Sequence, residues 1–269
     1  MKKILFLAAV LTITVATFAQ DSTSVRRTTS SKDEKRRQKR EKINSMIRQD
    51  EEGVLSYHKQ SVFGIQLRSL GYGLLYEIGR MKTTRKTTTY AIEISEIKDR
   101  KEDKLPKGTF TFGNPYIYGK INNFYQVKLG IGQQYILGEK GNKNGVSVSA
   151  VYGAGFSLGL LRPYYIQVQD QAGNVSTIKY EQDTALFTGG LILGGGGLGK
   201  GWGEMKIRPG AYGKAGLRFD YGRFNEVVSA IEVGVSLDAY IKEVPIMLYQ
   251  QDKRLFFQGY IALEFGKRK

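Results

Sequence analysis

The chain has 269 residues, with 41 Lys and Arg against 25 Asp and Glu, a formal net charge of +16, no cysteine and one histidine. The missing cysteines exclude a disulfide framework, a thiolate metal site and a cysteine nucleophile, and His58 alone excludes a multi-histidine metal site within one chain. A mean hydropathy of -0.33 excludes a protein built from several membrane-spanning helices.

The first 19 residues carry an export pattern. Lys2 and Lys3 open the chain, residues 4–18 are almost wholly apolar, and Thr17 and Ala19 put small residues before Gln20. Basic start, apolar run and small-residue end predict a signal peptide over residues 1–19, removed before Gln20. No cysteine follows, so the pattern is not that of a lipoprotein. Export removes nucleic acid from the expected partners, although the basic balance alone would suggest it.

Residues 20–57 predict a basic periplasmic segment, largely disordered or transiently helical. Ser, Thr and charged residues dominate, so little apolar surface is available to offset the entropy of ordering. A helix over 32–49 would gather Ile43, Met46 and Ile47 on one stripe. Arg36, Arg37, Lys39 and Arg40 are candidates for a tether to anionic lipid or an acidic partner; a plain solvated tail is the simpler reading.

From Ser61 the period is two. In residues 146–160 the even positions read Val, Val, Ala, Tyr, Ala, Phe, Leu, Leu, while the odd ones are almost all Ser and Gly. Successive strand side chains point to opposite faces, so this alternation is a strand signal. It recurs to give eight expected strands, at about 61–69, 72–81, 88–98, 122–137, 145–161, 204–220, 226–242 and 254–267. Connections alternate between short turns and longer loops. That is the plan of an antiparallel transmembrane β-barrel over residues 58–269, with an even strand count and both ends on the periplasmic side. A soluble barrel would place its apolar face inward and cover the other with Lys, Glu, Thr and Asn. Here the second face is Gly and Ser with sparse charges of both signs, which suits a crowded lumen. Tyr90, Tyr125, Tyr164, Tyr165, Phe219, Tyr221 and Phe265 are expected in interfacial girdles. Pro209, lacking a ladder donor, is expected at a bulge or belt.

The longest connection, 162–203, is an extracellular loop in this reading. Within it, residues 164–168 and 175–180 flank Gln171-Ala-Gly-Asn174, a hairpin signal. That hairpin either extends outward or enlarges the barrel to ten strands. Tyr164, Tyr165, Tyr180 and Trp202 are the candidate docking residues, with Leu191, Ile192 and Leu193 expected to dock the loop over the mouth. Residues 194–201, GGGGLGKG, partly match a phosphate-binding loop. Gly201 stands where the magnesium-binding Ser or Thr belongs, and no βαβ unit surrounds it, so a flexible loop is expected.

The segments NPYIYGKINNFY (114–125), SLGLLRPYYI (157–166), GKGWGE (199–204) and FGKRK (265–269) resemble a family of small outer-membrane β-barrel proteins of Bacteroidota. The resemblance covers most of the chain after about residue 60. It implies the fold and an outer-membrane location, and it carries over no functional residue.

Parity assigns a lumen charge network to Glu77, Glu93, Lys206, Arg208, Lys214, Arg218, Glu232, Asp238 and Glu264. Closing the hairpin at 221–225 sets basic and acidic members on neighbouring strands. Mutual pairing avoids isolated buried charge, while a carboxylate pair is also the minimum for acid–base chemistry. His58 lies before the first strand, at the periplasmic mouth and away from the long loops. The expectation is therefore a non-enzymatic envelope barrel with a structural or partner-docking role and no cofactor or metal. Its expected partners are outer-membrane lipids, the barrel-assembly machinery during insertion, and an envelope protein reached through the long loop or basic tail. A narrow pore or small-ligand conduit is the alternative, and an enzyme at the outer mouth ranks last.

Overall fold

A computed structural model describes residues 34–41, 44, 57–105, 115–141, 145–197, 199–224 and 226–269. The chain divides into two units, Met1–Gly53 and Val54–Lys269. In the first, residues 34–41 and 44 are helical and exposed, which places Arg36, Arg37, Lys39 and Arg40 on a solvated helix. The expected leader, and the stripe of Ile43, Met46 and Ile47, lie outside the described residues.

In the second unit the strands are β1 (Lys59–Arg68), β2 (Gly71–Thr83), β3 (Lys86–Ile97), β4 (Lys104–Leu105), β5 (Tyr116–Ile117), β6 (Asn122–Gly138), β7 (Ser147–Pro163), β8 (Tyr165–Gln169), β9 (Val175–Lys179), β10 (Leu191–Gly195), β11 (Lys206–Asp220), β12 (Val227–Val244) and β13 (Lys253–Arg268). Eight of these close into an antiparallel ring in the order β1-β13-β12-β11-β7-β6-β3-β2. Closure gives every barrel strand two partners and leaves no open edge, which is the condition for a sheet to cross hydrocarbon.

The two-residue period decides which side faces out. One line of ladder partners, Tyr76, Ile92, Leu129, Phe156, Ala211, Ala239 and Leu255, runs across seven strands on the outward face and is apolar throughout. Phe156 is 78% exposed there. The inward face instead buries Gln66, Glu77, Glu93, Gln126, Lys128, Arg218, Glu232, Asp238 and Gln258. Apolar outside and charged inside is the inverse of a water-soluble barrel, and it is the arrangement a bilayer requires.

Glycine and tyrosine divide the lumen between them. A Cβ on Gly130 of β6 would stand 2.2 Å from the Tyr212 hydroxyl, and one on Gly159 of β7 would stand 2.7 Å from the Phe124 ring. The bare wall leaves room for large rings reaching across from other strands.

One end of the barrel holds the short connections, together with the start of β1 and the end of β13. There His58 N–H donates to the Lys269 carbonyl at 2.8 Å. The other end holds the tight 68–71 turn and the longer connections after β3, β7 and β12. The 162–203 connection is not a plain loop. The expected hairpin forms as β8 and β9, and β10 adds on the far side of β8, making a three-stranded sheet separate from the barrel. The choice between eight and ten barrel strands is thereby settled at eight. Ile166, Val168, Ile178 and Phe187 form the small core of this sheet, with Phe187 supplied by a short helix, Thr184–Gly189. That helix is capped by Asp183, whose side chain accepts the Leu186 N–H at 2.8 Å. Pro209 needs no bulge. It sits one residue before the β11–β12 ladder begins at Gly210, where a missing donor breaks no pairing on that side.

Candidate functional site

The lumen is filled in layers, which can be followed from the turn end to the loop end. At the turn end, Arg268 Nη2 meets Asp220 Oδ2 at 2.6 Å, and the Tyr57 and Thr87 hydroxyls are 2.9 Å apart.

The next layer is organised by Arg218. Its guanidinium contacts Glu77 (Nη1 to Oε1, 3.0 Å), Glu232 (Nη2 to Oε2, 2.8 Å) and Glu264 (Nε to Oε2, 2.7 Å). It also donates from Nη1 to Gln134 Oε1 at 3.3 Å. The planar fork of an arginine is the side chain that can serve several carboxylates at once. The Tyr260 hydroxyl donates to Glu232 Oε1 at 2.7 Å, so the second oxygen of that carboxylate is also held.

Above it, Glu93 joins Lys214 (2.6 Å) and Arg68 (2.7 Å). Higher still, Lys128 pairs with Asp238 at 2.5 Å, and its ammonium lies 5.1 Å from the centre of the Tyr212 ring. Gln126 Nε2 donates to the Tyr240 hydroxyl at 2.7 Å.

The loop end is closed by rings. Phe124, Tyr240 and Phe256 pack with centroid separations of 5.4, 5.5 and 6.0 Å. Ile97, Leu161, Val244, Ile246, Met247 and Ile117 complete this apolar plug.

Of the nine residues assigned to the lumen network by sequence, Glu77, Glu93, Lys214, Arg218, Glu232, Asp238 and Glu264 meet there. Lys206 and Arg208 do not. They share the inward parity of β11 but stand beyond the aromatic plug. Lys206 pairs with Glu181 in the loop region, and Arg208 Nε donates to the Glu243 carbonyl at 3.2 Å. Parity fixes a face and not a depth. The charge network assigned from the sequence left out Arg68, Lys128, Gln126, Gln134, Tyr212, Tyr240 and Tyr260, all on the same inward parity of their strands. That parity was a usable signal for them.

Of the candidate docking residues, Tyr164, Tyr165 and Tyr180 are half-buried and Trp202 is exposed. The Tyr164 hydroxyl accepts the Ile117 N–H at 3.1 Å, and Tyr180 packs edge-on to Phe187 at 5.6 Å. The Tyr165 hydroxyl donates to Glu204 at 2.8 Å, and Lys179 also reaches that carboxylate. These two donors hold the Glu204 carboxyl below the usual carboxylate range. Trp202 keeps 52% of its surface exposed, yet one face stacks on Tyr125 at 5.9 Å, with the Arg162 guanidinium 4.6 Å from its ring.

No family model and no curated protein matches the sequence. Solved structures are similar to it. Ail, the attachment invasion locus protein of Yersinia pestis, aligns over 80% of this chain and 100% of its own, at 9% identity and a TM-score of 0.37. Neisserial surface protein A aligns over 78% and 96%, at 12% identity and a TM-score of 0.36. The N-terminal β-barrel domain of Pseudomonas aeruginosa OprF aligns over 78% and 98%, at 11% identity and a TM-score of 0.34. All three are small outer-membrane barrels, and the likeness concerns shape alone.

Chemically, the lumen sets five carboxylates (Glu77, Glu93, Glu232, Asp238 and Glu264) against four cations (Arg68, Lys128, Lys214 and Arg218), and each carboxylate lies against at least one cation. The carboxylates that acid–base work would need are bound by cations, and burying an ion at several kcal/mol is tolerable only with such partners. Among the described residues, no group of three or more Asp, Glu or His is arranged to hold a metal.

Proposed function

We propose that the protein is an integral outer-membrane β-barrel with a structural or partner-docking role in the cell envelope, closed to conduction and without catalysis. The observation that carries this reading is the sorting of side chains. The ring of eight strands is apolar outside, and its charges are paired inside. The expected leader would bring the chain to the envelope, and the Bacteroidota barrels that its sequence resembles have the same architecture. In this reading the turn end, with both strand termini, is periplasmic, and the β8–β10 sheet faces outward.

The Arg218 cluster and the Phe124–Tyr240–Phe256 plug support a closed lumen. Eight strands enclose just enough space for side chains, and here large ones take it. Catalysis is disfavoured because the lumen carboxylates are held in ion pairs and His58 is exposed at the turn end.

The docking role is tested by photo-crosslinking in native membranes from positions 175 and 191, which carry exposed apolar side chains on the outer sheet. A reproducible crosslink to one envelope protein supports docking. A protein that remains solitary at both positions removes the docking role and leaves a structural one.

A further inference from the structure

Outside the barrel wall, at the long-loop end, lies a cavity of about 970 Å³. Its barrel side is the outward face of β2, β3 and β6, represented by Tyr72, Leu74, Ile94 and Tyr125; its other side is formed by Tyr164, Tyr165 and the backbone of Gly195, Gly196 and Gly197. The glycine run that fails as a nucleotide loop therefore has a place. A Cβ on Gly196 would stand 2.6 Å from the Tyr165 Cβ, and Gly197 adopts φ +86, so the run can lie flat as a wall.

Four cations line the cavity, Lys98, Lys120, Arg162 and Lys200, against two carboxylates, Glu96 and Glu102. Both carboxylates are engaged. Glu96 accepts the Tyr72 hydroxyl at 2.5 Å, and Glu102 binds Lys120 at 2.7 Å. Arg162 lies among the Tyr125 and Trp202 rings at the cavity floor. Lys98 lies over the Tyr72 ring at 4.9 Å, and Lys200 is exposed on the loop side. Positive charge is in excess, and it sits directly above an apolar wall. Leu74 and Ile94 continue the outward face of Tyr76, Ile92 and Leu129, so the cavity opens onto the surface that meets lipid.

We infer that this cavity holds the phosphorylated headgroup of a lipid from the surrounding leaflet, with Lys98 and Lys200 contacting phosphate and the acyl chains lying on Leu74 and Ile94. A soluble anion would have no use for the apolar wall, and a neutral lipid none for the excess cations. Basic side chains at a bilayer surface recognise anionic lipid in this way. The inference rests on the membrane-barrel reading above, which places this end at a lipid–water boundary.

Trp202 is the single tryptophan of the chain and stacks on Tyr125 of the cavity wall, so its emission reports on the site. The full-length protein, folded in neutral detergent, is titrated with lipid A, with phosphatidylcholine and with inorganic phosphate. Lipid A is expected to give a saturable change, with an affinity at least about tenfold above that for phosphatidylcholine. The Lys98→Ala/Lys200→Ala double variant is expected to lose about tenfold in lipid A affinity, and phosphate alone is expected to give no change. Equal affinity in wild type and variant, an equal response to phosphatidylcholine, or saturation by inorganic phosphate overturns the inference. Heat-modifiable electrophoretic mobility on the same samples separates the two levels. A protein without a heat-sensitive folded form removes the barrel reading itself, whereas a folded barrel indifferent to the lysine substitutions removes only the lipid site.

Discussion

Arg218 of β11 and Glu77 of β2 stand on diametrically opposite strands, four steps apart either way round the ring, and meet in the middle of the lumen with Nη1 to Oε1 at 3.0 Å and Nη2 to Oε2 at 3.2 Å. Glu232 and Glu264 reach the same guanidinium from β12 and β13. With Gln134 of β6, one side chain thus ties five strands together. Removing it would leave three buried carboxylates facing one another, with only Lys214 of the neighbouring layer as a nearby cation. Arg218→Met is expected to lower stability by about 3–5 kcal/mol, the usual effect of deleting one partner of a buried pair. Arg218→Lys should recover only part of this, since an ammonium cannot fork to three carboxylates. Denaturant unfolding in lipid vesicles measures both; a loss below about 1 kcal/mol for the methionine variant would mean that the cluster is not a buried network.

The wall between β6 and β7 depends on two facing glycines, Gly130 and Gly155. A Cβ on Gly155 would stand 2.1 Å from the Leu129 carbonyl oxygen, and backbone cannot swing aside as a side chain can. Gly155→Ala should therefore cost about 1–3 kcal/mol as overpacking. Gly213→Ala is the internal comparison, because its nearest neighbour would be 4.0 Å away, and it should change stability by less than about 0.5 kcal/mol. Similar unfolding midpoints for the two variants would contradict the close approach.

The outward face should show depth dependence. Leu129 lies midway along β6 and Leu137 near its turn end, and both are exposed. In vesicles, Leu129→Arg is expected to cost about 2–4 kcal/mol and Leu137→Arg about 0–1 kcal/mol. Equal costs at the two positions would argue against a membrane midplane near Leu129.

The β8–β10 sheet should loosen in acid. Hydrogen bonds from Lys179 and Tyr165 depress the Glu204 carboxyl in the folded protein. A depressed folded value means that its contribution is present above the ordinary glutamate range and is lost as pH falls through that range and below it. Hydrogen exchange at β8 and β9 should accelerate over that interval, and Glu204→Gln should abolish the acceleration. An unchanged acid response in the variant would assign the effect to another group.

Much of the barrel was legible in the chain because burial of one face imposes a period of two that no loop mimics over 15 residues. All eight barrel strands fall within a few residues of their expected positions, and Glu232 on β12 does face Arg218 across the hairpin. Two things were not legible. Depth along the axis was one: Lys206 and Arg208 have the parity of Lys214 but stand past the plug, and parity carries no information about height. Cross-lumen distance was the other. Arg218 meets Glu77, 141 residues earlier in the chain, only because the ring closes in one particular order. In the 162–203 region the turn residues revealed β8 and β9. The third strand stayed hidden because Leu191-Ile-Leu193 is a short apolar run without alternation, and such a run does not declare its structure.

The most direct test of a membrane barrel with a filled lumen is planar-bilayer conductance of the purified protein, with insertion verified on the same membranes by protease protection of the strands. The account predicts protected strands and no current steps above noise, because the Arg218 cluster and the Phe124–Tyr240–Phe256 plug occupy the path. Discrete current steps that rise with the amount of inserted protein, and that change when Arg218 is replaced, would contradict it and make the charged lumen a conduit.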